Sequence, residues 1–112
     1  MLKDKILEYM KLNPNTLYYD LVKIFGLPLD KLFKILGITN YQVDDYFTQI
    51  FDNNGNLIYR ESLYGNWVKQ EYNDDDNCIY QENSDGLWSK WEFDNNGDLY
   101  YFKDSNGKSH KF

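Results

Sequence analysis

The side chains in this sequence that could do chemistry are few, and their spacing points to recognition rather than to catalysis. His110 is the single histidine and Cys78 the single cysteine. A Ser-His-Asp or Cys-His arrangement would have to run through His110, two residues from the C-terminus, and chain ends do not hold a base in register with a nucleophile. A closed zinc sphere takes about four His or Cys ligands, and only these two exist. Asp94, Asn96 and Asp98 alternate like the oxygen ligands of a calcium loop. Leu99, however, stands where that loop needs glycine, and Ser105 stands where it needs a bidentate glutamate. Asp74-Asp75-Asp76 reads as an acidic hairpin tip in water. No glycine loop matches a phosphate cradle, and nothing selects one carboxylate pair from the twelve acids of residues 51–112. The expectation is a chain that is not an enzyme and uses no metal or cofactor.

What does recur is a recognition pattern. Trp67, Lys69 and Glu71 return as Trp88, Lys90 and Glu92, a step of 21 residues. The same step links Phe51, Tyr72 and Phe93, then Tyr59, Tyr80 and Tyr101, then Gly65, Gly86 and Gly107, and finally Lys69, Lys90 and Lys111. An internal period of this kind marks a repeat of one supersecondary unit. Each unit carries two turn signals. The first is Asp52-Asn53-Asn54-Gly55-Asn56, matched by Asn73-Asp74-Asp75-Asp76-Asn77 and Asp94-Asn95-Asn96-Gly97-Asp98. It suits a three-residue hairpin loop. The second, Tyr64-Gly65, Asp85-Gly86 and Asn106-Gly107, suits a two-residue type I′ loop.

These turns predict the register. Side chains alternate faces with period two, so a 21-residue repeat flips faces unless one loop is odd and the other even. Phe51 paired with Leu57 around three residues, and Leu63 paired with Asn66 around two, gives a 21-residue advance. One face then collects Phe51, Leu57, Tyr59, Val68, Tyr72, Cys78, Tyr80, Trp91, Phe93, Leu99, Tyr101 and Phe112. The other collects Ile58, Arg60, Trp67, Lys69, Glu71, Ile79, Gln81, Trp88, Lys90, Glu92, Tyr100 and Phe102. The second face mixes aromatic rings with charge, as an interface centre and rim do; a solvated sheet face supported by cross-strand pairs has the same composition.

Three short helices precede the repeat. Leu2, Ile6, Tyr9 and Met10 make one stripe, ended at Asn13-Pro14. Leu17, Leu21, Ile24 and Phe25 make a second, with Asn15 or Thr16 as its cap and Gly26 as its stop. Leu29, Leu32, Phe33 and Leu36 make a third, opened near Pro28 and closed at Gly37. The fold class is therefore α+β: a three-helix unit over residues 1–40 and a six- or seven-stranded antiparallel β-meander over 41–112.

The run Asp20-Leu21-Val22-Lys23-Ile24-Phe25-Gly26-Leu27-Pro28-Leu29, with Leu32 and Leu36, resembles a helix-turn-helix, and with the first helix a winged-helix-type trihelical unit. That resemblance implies DNA contact through the third helix, where Lys31 and Lys34 would meet phosphates. The helix lacks the Arg, Asn or Gln that reads base edges. The repeat Gly65-Asn66-Trp67-Val68-Lys69-Gln70-Glu71-Tyr72, with Asp94-Asn95-Asn96-Gly97-Asp98-Leu99, resembles MORN-variant repeats, some of which occur in antitoxin-like proteins. It is also similar to the tyrosine-rich repeats of RHS/YD proteins. These likenesses imply a fold more than an activity.

Charge narrows the partners. The net charge is −6, residues 1–50 balance to zero, and residues 51–112 hold twelve acids against six bases. A phosphate backbone is repelled by such a half, whereas a basic protein is attracted. A lone thiol and the absence of a long apolar run favour a cytoplasmic protein that spans no membrane. In profile the chain resembles small phage-encoded inhibitors of the anti-CRISPR type. That resemblance implies a non-enzymatic inhibitor that occupies a basic protein or nucleoprotein effector of a bacterial host. The residues expected to bind are Arg60, Trp67, Lys69, Glu71, Asp74, Asp75, Asp76, Trp88, Lys90 and Glu92. The alternatives are a helix-turn-helix DNA-binding regulator using Lys31 and Lys34, and an antitoxin or immunity protein.

Overall fold

The computed structural model describes all 112 residues, which form two compact units, Met1–Tyr41 and Gln42–Phe112. The first contains α1 (Leu2–Leu12), α2 (Tyr18–Phe25) and α3 (Leu29–Leu36). Each helix contributes one fully buried side chain, Ile6, Leu21 and Leu32, to a shared core. The apolar stripes read from the sequence supply these three. α2 starts later than either expected cap. Its N-cap is Leu17, which has no side-chain acceptor, so Asp20 reaches back instead and its Oδ2 accepts the Leu17 N–H at 3.3 Å. Gly26 and Gly37 close α2 and α3 at φ +64 and +76, a region in which any Cβ is strained. No helix is long and apolar enough to cross a membrane.

The rest of the chain is an antiparallel meander. It runs β1 (Tyr41–Val43), β2 (Phe47–Phe51), β3 (Leu57–Ser62), β4 (Trp67–Tyr72), β5 (Cys78–Asn83), β6 (Trp88–Phe93), β7 (Leu99–Asp104) and β8 (Ser109–Lys111). Spatial order equals sequence order. There are eight strands rather than six or seven, because three-residue strands form at both edges.

The loops correct the expected turn types. All six loops from β2 to β8 (52–56, 62–66, 73–77, 83–87, 94–98 and 104–108) share one geometry. The fourth residue donates its N–H to the first residue's carbonyl, as Gly55 does to Asp52 (3.1 Å) and Gly86 to Asn83 (3.0 Å). The first residue donates to the fifth, as Asp52 does to Asn56 (2.9 Å). The fourth residue is left-handed in every loop, Gly in five and Asp76 (φ 63) in one. The first residue's side chain then accepts the N–H groups of the third and fifth. Asp94 Oδ1 takes those of Asn96 and Asp98 (2.9 and 3.0 Å), and Asp104 Oδ1 takes those of Asn106 and Lys108 (both 3.0 Å). So Tyr64-Gly65, Asp85-Gly86 and Asn106-Gly107 are the last two residues of three-residue loops, not two-residue type I′ turns. The physical cause is the acceptor three residues before each glycine (Ser62, Asn83 or Asp104), which stabilises a type I turn.

Two three-residue loops per cycle would suit an even repeat. The twenty-first residue is a β-bulge. Ile50 pairs with Tyr59 while Phe51 pairs with Leu57, leaving Ile58 as the extra residue. Ile79 and Tyr100 occupy the same place one and two repeats on. A bulge puts an added residue on one strand without breaking the ladder. The repeat therefore does keep phase, by a device other than the expected turn.

The faces shift accordingly. Tyr59 pairs with Lys69, Tyr80 with Glu71 and Lys90, and Tyr101 with Glu92 and Lys111, so all three tyrosines share a face with Trp67 and Trp88. Arg60, Gln81 and Phe102 pair with Val68, Gln70 and Trp91 and lie on the opposite face. Burial in the sheet unit is confined to Ile50, Tyr59, Glu61 and Ser62. From β4 onward every side chain is half-buried or exposed, so this part is a single-layer sheet.

Candidate binding faces of the sheet

The ladder face of β4–β7 is built from side chains of four strands. Trp67, Lys69 and Glu71 project from β4, and Trp88, Lys90 and Glu92 from β6, each at period two. β5, between them, presents Tyr80 and Glu82, and β7, on the far side of β6, presents Tyr101 and Lys103. Lys69 lies opposite Glu82, and Lys90 opposite both Tyr80 and Lys103. The lysines lean over the rings. Lys69 Nζ is 4.7 Å from the Trp67 centroid, and Lys90 Nζ is 5.3 Å from Trp88 and 5.8 Å from Tyr80. Such contacts set an ammonium group against each indole, and both rings stay half-buried.

Two phenols report the electrostatics of the face. Burial pushes the Tyr80 hydroxyl up, with Glu82 and Glu71 adding to the shift. The Glu92 carboxylate beside Tyr100 pushes its hydroxyl up too, aided by partial burial. Both phenols therefore stay protonated and can donate hydrogen bonds throughout the neutral range. A shallow depression of about 520 Å³ runs here, with Glu71, Tyr80, Lys90, Glu92 and Tyr101 along it.

Nine of the ten residues singled out for binding fall into two places. Trp67, Lys69, Glu71, Trp88, Lys90 and Glu92 come together on the ladder face. Asp74, Asp75 and Asp76 are at the tip of loop 73–77, exposed, at one end of the sheet. That end is acidic: its loops 52–56, 73–77 and 94–98 carry Asp52, Asp74, Asp75, Asp76, Asp94 and Asp98 and no base. Asp76 Oδ1 accepts from Asn54 Nδ2 (3.1 Å) and Asn56 Nδ2 (2.8 Å), tying two tips together. Arg60, the tenth, lies on the opposite face with its guanidinium 5.2 Å from the Phe47 ring. Sequence reasoning placed it with the tryptophans because a two-residue turn at Tyr64-Gly65 would pair Arg60 with Lys69, whereas the three-residue loop 62–66 pairs it with Val68, and a one-residue slip moves a side chain to the other face. It missed Tyr80 and Tyr101 because the bulges at Ile79 and Tyr100, which turn them toward Glu71 and Glu92, were not foreseen.

Elsewhere, Lys31 and Lys34 are exposed on α3. His110 sits in β8 with its ring 4.5 Å from Phe112, and Cys78 Sγ is 3.4 Å from the Tyr80 carbonyl. No three His, Cys, Asp or Glu side chains gather where a metal ion would need them.

No protein-family model matches this chain, and no curated protein matches it. The reading of the site therefore rests on its own residues.

Proposed function

We propose that this chain is a non-enzymatic protein-binding inhibitor whose docking surface is the ladder face of β4–β7, bordered by the acidic loop end. The observation that carries the reading is the single-layer sheet: Trp67, Tyr80, Trp88 and Tyr101, one from each of β4–β7, stand half-buried on one face. Rings ordered in advance and left open make low-entropy contact area. Asp74, Asp75 and Asp76 at the end of that face favour a basic partner and speed its approach. A basic effector of a bacterial defence system, occupied by acidic side chains in place of phosphate, is the partner class that fits best, as in inhibitors of the anti-CRISPR type.

The test is capture from a bacterial host lysate with matched variants. Trp88→Ala combined with Asp74→Asn, Asp75→Asn and Asp76→Asn should release the captured basic protein, while a thermal melt confirms that the variant is folded. A complex that survives in the folded variant overturns the proposal. The DNA-binding alternative uses Lys31 and Lys34, and a sequence-specific gel shift abolished by Lys31→Ala would establish it instead.

A further inference from the structure

The repeat breaks at one place where the fold does not demand it. In loops 83–87 and 104–108 the second and third residues are Ser84-Asp85 and Ser105-Asn106, whereas in loop 62–66 they are Leu63-Tyr64. The turn itself is the same in all three. The serines act within the sheet: Ser84 Oγ accepts the Trp67 N–H at 3.1 Å, and Ser105 Oγ accepts the Trp88 N–H at 3.0 Å. Leu63 keeps only the main-chain half of this tie, its N–H donating to the Tyr46 carbonyl at 3.1 Å. The two apolar side chains gained in exchange face water, Leu63 being 54% and Tyr64 83% exposed. Turn positions are ordinarily polar, so neither local propensity nor packing accounts for them.

Beside this loop stands Arg60, the only arginine in the chain. Its guanidinium lies over Phe47 and pairs with no carboxylate. An arginine held over a ring keeps its fork of N–H donors for a second partner. A depression of about 340 Å³ adjoins it, lined among others by Phe47, Arg60, Tyr64, Trp67, Val68 and Asp85. Exposed Tyr64 and Arg60 beside a half-buried Trp67 around a recess is the composition of an interface anchor.

We infer that this rim is a second docking surface, one that takes a protein segment carrying a single carboxylate beside an apolar side chain. The carboxylate takes the Arg60 fork in bidentate fashion, and the apolar group lies between Tyr64 and Phe47. The surroundings restrict the occupant to one negative charge. Asp85 borders the recess and the sheet half is acidic, so a polyanion such as nucleic acid is repelled. Arg60 lies on the face opposite the ladder, while Trp67 of the ladder also borders this recess, so Arg60 and Trp88 are the residues that separate the two surfaces.

The probes are acetyl-Leu-Asp-Leu-amide and its acetyl-Leu-Asn-Leu-amide counterpart, titrated into the full chain at millimolar concentration. Resonances of the Arg60 Nε–H and Trp67 indole N–H report binding. Expected is a saturable shift with the Asp peptide, about tenfold weaker with the Asn peptide. Arg60→Gln should abolish it, and so should Leu63→Ser with Tyr64→Asp, which installs the turn the next repeat already uses. Trp88→Ala should leave the response intact, so either surface can fail without the other. No saturable shift, an equal response to the Asn peptide, or a response that persists in both variants overturns the inference. A Tyr64-dependent dimer in light scattering overturns it in favour of a second copy of this chain.

Discussion

Proline substitution at one turn position should have opposite effects at the two ends of the sheet. Asn95 is the second residue of loop 94–98, a position whose φ in a type I turn is near that of proline. Its N–H is not used: the loop's bonds come from Asp94, Asn96, Gly97 and Asp98. Asp94 before it is paired as strand, its N–H donating to the Asp98 carbonyl at 2.8 Å, which suits a residue preceding proline. Asn95→Pro should therefore stabilise by about 0.4–1 kcal/mol through the unfolded chain alone, raising the melting temperature by roughly 2–6 °C for a chain of this size. Ser84 holds the same position in loop 83–87 but donates its N–H to the Trp67 carbonyl at 2.9 Å and accepts the Trp67 N–H at 3.1 Å. Ser84→Pro removes both bonds, at about 1 kcal/mol each, and the proline gain does not offset that. It should melt lower than the parent. Asp85→Gly completes the set. Asp85 has a negative φ, so glycine should cost roughly 0.5–1 kcal/mol, whereas a two-residue type I′ turn would gain from it. Circular dichroism melts of the three variants decide the matter. Ser84→Pro melting as high as Asn95→Pro, or a stabilising Asp85→Gly, would refute the loop assignment.

Three further outcomes follow from particular contacts. Lys90 lies directly opposite Lys103, where the preceding repeat sets Lys69 opposite Glu82; Lys103→Glu should stabilise by about 0.2–1 kcal/mol, less in high salt, as read from urea midpoints. Asp52 and Asp44 are held below the ordinary carboxylate range, chiefly by the Asn56 N–H for Asp52 and the Tyr46 N–H for Asp44. A lowered folded value means a contribution present above the unfolded value and lost as pH falls through the folded one. Melting temperature should hold down to about pH 4 and fall below it, and Asp52→Asn, which copies Asn73 of the next repeat, should flatten that fall. Burial pushes the Cys78 thiol up, so iodoacetamide at pH 8 should alkylate it more slowly than it does the urea-unfolded chain; equal rates would contradict the burial.

Periodicity made the helices legible, and the 21-residue step made the meander legible. Ile6, Leu21 and Leu32 were in the predicted stripes because a helix that must bury one face shows it in its spacing. The edge strands escaped notice because three residues are too few to show alternation. The faces were legible only in part. Trp67, Lys69 and Glu71 could be grouped with Trp88, Lys90 and Glu92 from the repeat alone. Arg60 was misplaced by the two-residue turn expected at Tyr64-Gly65, and Tyr80 and Tyr101 were missed because bulges precede them; both faces of a single-layer sheet carry aromatic rings, so neither slip shows in the pattern. With neither face wholly apolar, composition does not reveal a one-residue bulge. A signal was present, since Ser62, Asn83 and Asp104 each stand three residues before glycine, as Asp52 and Asp94 do. Five such placements imply equal loops, and equal three-residue loops in a 21-residue repeat imply a bulge.

Side-chain proximity across the sheet is the point on which the ladder face depends, and isotope-edited NOE spectroscopy on the full chain reads it. Expected are contacts from the Lys90 side chain to both the Tyr80 and Trp88 rings, together with Trp91 to Phe102, whose centroids are 5.8 Å apart. Contacts from the Tyr80 ring to Trp91, with none to Lys90, would put the tyrosines on the other face and remove the proposed binding surface.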